Sequence, residues 1–592
     1  MLANILGSLL RYPLRARRAR RAGALHDAAM AQKEAGDYAG ARRSLEQAVA
    51  LDPDHAQAHY WLGIALAREQ AFAESATHLE RALVLDPTIP EGWIDLGNVL
   101  ALQRNFPAAV TAYRKALAAV PDSTLARLNL GHALKEMGHL QEALDHLRRV
   151  HELAPGTENA VRNLVSALIE SDRCEEALAI AADAVARDPA RYEYRFAHGL
   201  ALQKSHEPFG ALAEYDAALR ARPDDAELHD NRGTALLELG RLREAIAAYE
   251  RALALRPDFP LPAFHRALTC LLQGDYAGGW EGYELRLLDR DYPGRAYDYP
   301  RWEGGALDGL TLLVTREQGL GDEIMFASCL PSIMEAAGHC IVECEPRLLG
   351  LFRRSFPAAT VFASTPDGAL PREVTARKVD AVIPAGSIPR LLRKGLSDFP
   401  RHSGYLRADH ERVARWRERL AQLGPGLKVG ISWRGGVRKT RRAVRSISLE
   451  RWLPIFEVPA AHFISLQYTA NAEAEIEQLR AQQGRRIEHW AEAVDDLDET
   501  AALLIALDLT ISVCTAVIHL GGALGRPVWV MAPYSPEWRY GFSGDTMPWY
   551  PSVKVFRQPA FGEWEPVTSS VAAELRRLTG APSDGRTPKS GS

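Results

Sequence analysis

An acidic pair, Asp322-Glu323, stands directly behind two glycines in the stretch EQGLGDEIMFASCLP (317–331). An apolar run (310–314) precedes it and an apolar-periodic run follows, so the pattern reads strand, glycine turn, helix. Acids suit the first turn of a helix, where the dipole is positive, and Glu323 is read as that capping acid. Asp322 has a second use. A carboxylate held within reach of a hydroxyl can take its proton. The turn glycines Gly319 and Gly321 let the backbone come close to a ligand.

A second set of residues could hold an anion. In DLTISVCTAVIHLGGALGRP (508–527) a strand ends, small residues follow and a helix begins. The free N–H groups and positive end of such a helix favour phosphate. Thr515 adds a hydroxyl, and His519, four residues on, shares its helix face. After LKVGISW (427–433) comes a loop with Arg434, Arg438, Lys439, Arg441, Arg442 and Arg445, cations able to clamp phosphates. No P-loop and no G-x-G-x-x-G follows a strand, which disfavours a Walker ATPase and a dinucleotide dehydrogenase. Cys340 and Cys344 fall on one face of an apparent strand with no second pair nearby, so no metal site is expected.

These residues need elements to carry them. TLLVT (311–315), CIVEC (340–344), ATVFA (359–363) and VDAVIP (379–384) read as strands, with helical patterns between them. A second series starts at LKVGISW and continues with HFISLQY (462–468), RRIEHW (485–490), DLTISV (508–513) and PVWVMA (527–532). Strands alternating with helices argue parallel sheets. Two α/β domains result, 308–408 and 427–578, joined by a helix at 409–426. Ligands bind such sheets beyond the carboxyl ends of the strands, which is where all the residues above lie.

The first half follows a different grammar. Prolines stand at 53, 87, 121, 155, 189, 223 and 257, each gap 34 residues. Glycines at 63, 97, 131, 199 and 233 keep the same period, with Val165 in the missing slot. Alanine or serine recurs at 41, 75, 109, 143, 177, 211 and 245. The pattern resembles the tetratricopeptide repeat, a helix–turn–helix unit. About seven repeats and a capping helix pair fill 22–290, an all-α solenoid whose groove suits an extended peptide or a protein partner.

Bulk properties fit this reading. A chain of 592 residues exceeds one core. A net charge of −4 gives no general attraction to nucleic acid or anionic membrane. Six scattered cysteines suggest a reducing compartment, the cytoplasm. Residues 1–21 are read as a basic, frayed tail with at most weak membrane-surface contact, 291–307 as a linker, and 579–592 as a disordered tail.

The pieces QGLGDEIMFASCLP, VGISWRGG, FISLQY, ETAALLIALDLTISVCTAVIHLGGALGRPVWVM and MPWYPSVKVFRQ, in that order, resemble glycosyltransferase family 9, the heptosyltransferase-like group. The resemblance covers 308–565. The layout with repeats is similar to O-GlcNAc transferase and repeat-bearing flagellin glycosyltransferases. It implies two Rossmann-like domains of the GT-B type. It also implies inverting, metal-independent transfer from a nucleotide sugar to a protein acceptor, with no cofactor. Asp322 would be the general base. Gly319, Gly321, Trp433, Arg434, Lys439, Gln467, Thr515, Ala516 and His519 would bind the donor, Gln467 near the base or ribose. The group usually carries an aspartate where this chain has Cys514, which argues against heptose as the donor sugar. The competing expectation is a non-catalytic repeat scaffold with a degenerate nucleotide-binding half.

Overall fold

In the helical part, each repeat's second helix ends at a cap residue standing immediately before the periodic proline. Tyr38–Leu51, Phe72–Leu85, Phe106–Ala119, Leu140–Leu153, Cys174–Arg187, Pro208–Ala221 and Leu242–Leu255 all do so. Proline forces its predecessor out of the helical region, so the sequence period becomes a structural one. The computed structural model describes residues 2–288, 297–435 and 443–580 except 90, 158, 366, 367 and 470, with side chains from residue 16. It divides into two units, Met1–Pro223 and Asp224–Ser592.

The periodic glycines are explained by what faces them. A Cβ at Gly63 would lie 2.7 Å from Leu79, at Gly97 2.4 Å from Tyr113, at Gly131 2.7 Å from Leu147, and at Gly199 2.5 Å from Tyr215. The large residue is always 16 positions later. At the exceptional Val165, the residue 16 later is Ala181, and both are fully buried. Bulk has been exchanged between partners at constant volume. Gly97→Ala is therefore expected to destabilise the first unit by about 1–3 kcal/mol, measurable by urea unfolding. The structure corrects one expectation here: residues 2–21 are helical rather than frayed, because one helix runs over Leu2–Glu34. Arg17, Arg18, Arg20 and Arg21 are exposed on it.

The second unit begins with the last helix pairs, Ala226–Glu238 with Leu242–Leu255 and Pro260–Gln273 with Tyr276–Tyr283, then a 3-10 turn at Glu284–Leu288. The first part (291–296) of the proposed linker 291–307 lies outside the described residues, as does 581–592 of the proposed tail 579–592. The strands are β1 (Thr311–Thr315), β2 (His339–Cys344), β3 (Thr360–Ala363), β4 (Ala381–Pro384), β5 (Leu427–Ser432), β6 (Ala461–Ser465), β7 (Leu509–Val513), β8 (Val528–Ala532), β9 (Thr546–Met547) and β10 (Tyr550–Arg557). One sheet is parallel with order β3-β2-β1-β4. The other has order β6-β5-β7-β8-β10-β9 and is parallel except for β9. The connecting helix is His410–Ala421. RRIEHW forms no strand, only a bridge of Glu488 to Ile464. The strand β10 was not anticipated.

One aromatic core ties the last helices to both sheets. Trp280 lies 5.4 Å from Trp538, Tyr283 5.4 Å from Trp538, and Phe326 5.8 Å from Trp549, ring to ring. Trp280 Nε1 also donates to the Arg393 carbonyl at 2.7 Å. The helices after residue 223 thus share a hydrophobic cluster with the α/β part, so the solenoid's last pairs are structurally part of the second unit.

Candidate active site

Between β1 and the helix Leu320–Phe326 the chain turns through Glu317, and that turn is anchored from below. The Arg286 guanidinium donates to Glu317 through Nη2 at 2.8 Å and Nε at 3.3 Å, with each side chain 1% exposed. The Gly386 N–H adds a third bond to Glu317 at 2.7 Å. A buried pair holds its geometry only when its remaining hydrogen-bonding groups are also met, and Arg286 further donates to Ser387 Oγ at 3.0 Å. The base of the turn is therefore rigid.

Asp322 and Glu323, adjacent in sequence, differ sharply in surroundings. Asp322 Oδ1 accepts from Arg539 Nε at 2.6 Å and also meets Nη2. About a fifth of each side chain remains exposed, 19% for Asp322 and 20% for Arg539, so the pair is accessible from solvent. Glu323 is not the surface capping acid anticipated above. It is buried, accepts from the Glu345 N–H at 2.8 Å and lies 3.2 Å from Arg316. Burial pushes its carboxyl up to about 8, against the pull of the Glu345 N–H and of Arg316. The folded value exceeds the unfolded one, so its contribution to stability is complete below about pH 4.3 and fades as pH rises toward 8. Glu323→Gln is expected to flatten the decline of melting temperature between pH 5 and 8, read by calorimetry across that range.

The helix Ala516–Ala523 follows β7 and is capped by Thr515, whose Oγ1 accepts from the Val517 N–H at 3.2 Å and sits 3.1 Å from Ser512 Oγ. His519 is buried, with Nδ1 3.2 Å from the Tyr550 hydroxyl. Burial, reinforced by the charges of Arg539 and Arg445, pushes its imidazole down to about 3, so it is neutral at pH 7 and offers a hydrogen bond rather than a charge. A Cβ on Gly321 would lie 3.0 Å from His519 Cδ2 and 3.7 Å from Ala516 Cα. A side chain there would require His519 to give way slightly. The first turns of two helices, one from each sheet, abut there.

The remaining donor-site residues fall as follows. Gly319 is the N-cap of the first helix, and a Cβ there would lie 3.2 Å from Asp322 Oδ2. Trp433 is fully buried, with its indole N–H on Glu475 at 2.6 Å. Gln467 is likewise buried; its Oε1 accepts from the Trp433 and Arg434 N–H groups at 3.0 and 2.9 Å, and its Nε2 donates to the Arg434 carbonyl at 3.1 Å. Its amide thus fixes the end of β5. Arg434 pairs with Glu475 at 2.8 Å. Lys439, with Arg438, Arg441 and Arg442, lies outside the described residues. Gly435 reaches the β7 helix, where a Cβ would be 2.7 Å from the Cys514 carbonyl. β5 and β7 are neighbours, while the chain leaves β5 toward β6 on its other side, which makes this a topological switch point. Cys514 is fully buried and its thiol is pushed well up by burial, so it is no nucleophile.

Reading the sequence placed the loop after β8, PYSPEWRYG (533–541), among the segments beyond strand ends but assigned none of its residues a role. It carries Glu537, Trp538, Arg539 and Tyr540, and Arg557 staples it by donating to the carbonyls of Tyr540, Gly541 and Gly544 at 2.6, 2.9 and 2.7 Å. Arg445 reaches the same loop, 2.7 Å from Glu537. The available signal was position, since this loop leaves the carboxyl end of a parallel strand. Among the described residues no three His, Cys, Asp or Glu side chains group as metal ligands would. No helix among them is long and apolar enough to cross a membrane.

The first unit has a cavity of its own, of about 580 Å3. Asn98, Tyr113, Asn129 and His132 line it, and Asn98 Oδ1 accepts from Tyr113 at 2.9 Å and from Asn129 at 2.8 Å.

Residues 26–90, 94–158 and 226–259 match tetratricopeptide-repeat family models. The chain is 36% identical over 386 residues to Protein FlbA of Caulobacter vibrioides, covering 62% of this chain and 64% of that protein. It thus spans somewhat under two thirds of that relative's length. Among solved structures it is similar to a tetratricopeptide repeat protein from Parabacteroides merdae (TM-score 0.39, 15% identity, 42% of this chain and 99% of the other). It is also similar to YrrB, described as a TPR protein with an unusual peptide-binding site (TM-score 0.23, 22% identity, 32% and 96%). The helical part is a tetratricopeptide-repeat solenoid, a protein-interaction module.

Proposed function

We propose that the α/β part is a GT-B glycosyltransferase, its two sheets the cores of paired Rossmann-like domains, and that it transfers a sugar from a nucleotide-activated donor to a hydroxyl of a protein bound by the repeats. The observation that carries this reading is the abutment at Gly321 and His519, which sets a carboxylate from one sheet beside a helix first turn from the other. In this mechanism Asp322 accepts the acceptor hydroxyl's proton as its oxygen attacks the anomeric carbon. The bond from that carbon to the phosphate oxygen breaks on the opposite face, so the configuration inverts. The first turn of Ala516–Ala523, the neutral His519 and nearby arginines balance the charge developing on the departing diphosphate. No metal is needed for that charge.

The scaffold reading draws on one observation, that Arg539 occupies Asp322. The two readings part experimentally. The full chain would be incubated with bacterial proteins and, in turn, ADP-heptose, UDP-N-acetylglucosamine and a CMP-nonulosonate. Mass spectrometry would follow nucleotide release and the protein masses. The transferase reading expects one donor to be consumed with a matching sugar mass on a protein. Consumption of none would favour the scaffold.

A further inference from the structure

We infer that Arg539 is a phosphate ligand of this site and that it holds Asp322 in an idle ion pair until a donor's diphosphate draws it away. The inference rests on the transferase reading and adds a residue and a sequence of events to it. A carboxylate paired with a guanidinium is a poor proton acceptor, because the cation favours its charged form. Asp322 as it stands gives Oδ1 to two guanidinium nitrogens, while Oδ2 is turned back against Gly319. In this state Oδ1 is taken up by Arg539 and closed to an acceptor hydroxyl.

The surroundings indicate which part moves. Arg539 follows Trp538, which is locked into the aromatic core by Trp280 and Tyr283. The chain beyond it is stapled by Arg557. Its backbone is fixed, and its side chain, a fifth exposed, is the free element. The charges give the reason to move. Among the described residues, Arg539 and Arg445 stand near Asp322 and His519, and each meets a carboxylate, Arg539 that of Asp322 and Arg445 that of Glu537. His519 brings no charge at neutral pH. An incoming diphosphate that draws on either arginine therefore takes it from a carboxylate. Arg539 is the one whose transfer frees the base, and its planar fork suits two phosphate oxygens. The base is thereby unmasked only when a leaving group is in place, which guards the donor against idle hydrolysis.

The test uses the full chain and inorganic pyrophosphate, ADP and UDP as probes, with affinities from calorimetry. If Asp322 competes with phosphate for Arg539, Asp322→Asn tightens binding about tenfold and Arg539→Gln weakens it about tenfold. The double variant should then bind like Arg539→Gln alone. Unchanged or weaker binding by Asp322→Asn, where the wild type binds, overturns the inference and leaves the transferase reading standing. Absence of binding to both proteins overturns both. A second readout separates a phosphate role from a structural one. Arg539→Gln, in a variant whose melting temperature matches wild type, should raise KM for the donor about tenfold. An unchanged KM in such a variant also overturns it.

Discussion

Replacing Asp322 by asparagine is expected to lower turnover by about 10²–10⁴-fold, the usual contribution of a general base, without loss of donor affinity. The change is nearly isosteric. An asparagine oxygen can still accept from Arg539, so the site keeps its shape. What disappears is the ability to hold a proton. The loss should fall on kcat, with KM for the donor unchanged or lower, which marks removal of an interaction made in the transition state. Steady-state kinetics with a saturating acceptor provide the check. A fall in donor affinity with kcat preserved would make Asp322 a binding residue.

The largest effect on stability is expected beneath the same turn. Glu317→Gln leaves the Arg286 guanidinium almost wholly buried with Glu284, 2.9 Å away, as its remaining carboxylate among the described residues, so the loss should approach, and not exceed, the roughly 3–5 kcal/mol of a buried pair broken from one side. Arg286→Met exposes the converse imbalance and should cost a similar amount. Replacing both, Arg286→Met with Glu317→Leu, should recover most of it, since an apolar pair carries no desolvation penalty. Urea unfolding followed by tryptophan fluorescence suits the test, because Trp280, Trp538 and Trp549 share the adjoining core. The single variants should also loosen Asp322, because Arg286 lies at the end of the helical array and Glu317 at the root of the Asp322 turn. The segment after the last helix pair and the root of the Asp322 turn are thus joined by one buried ion pair.

The repeats were legible because their information is local. A proline every 34 residues and a glycine facing a large residue 16 positions later can be read along the chain. Most strands were legible too, since β1, β2, β5, β7 and β8 are apolar runs ending in small or turn-forming residues. RRIEHW misled because its alternation suits a strand, yet only Glu488 bonds to the sheet edge, to Phe463 and Ser465 at 2.9 and 2.7 Å. The loop ends of the strands pointed to the segments that Asp322, Thr515 and His519 occupy. They did not show which side chains face outward, and Trp433 and Gln467 turned inward to hold the backbone. Charge partners were invisible for the opposite reason. Arg539 is 217 positions from Asp322 and Arg286 is 31 from Glu317, and neither separation leaves a periodic trace.

The most direct test of the transfer mechanism is a crystal structure of the full chain with a bound nucleoside diphosphate. The mechanism expects the diphosphate against the first turn of Ala516–Ala523, in contact with His519 and Arg539, and the Asp322 carboxylate released beside it. A nucleotide seated elsewhere, with Asp322 and Arg539 still paired, would contradict it.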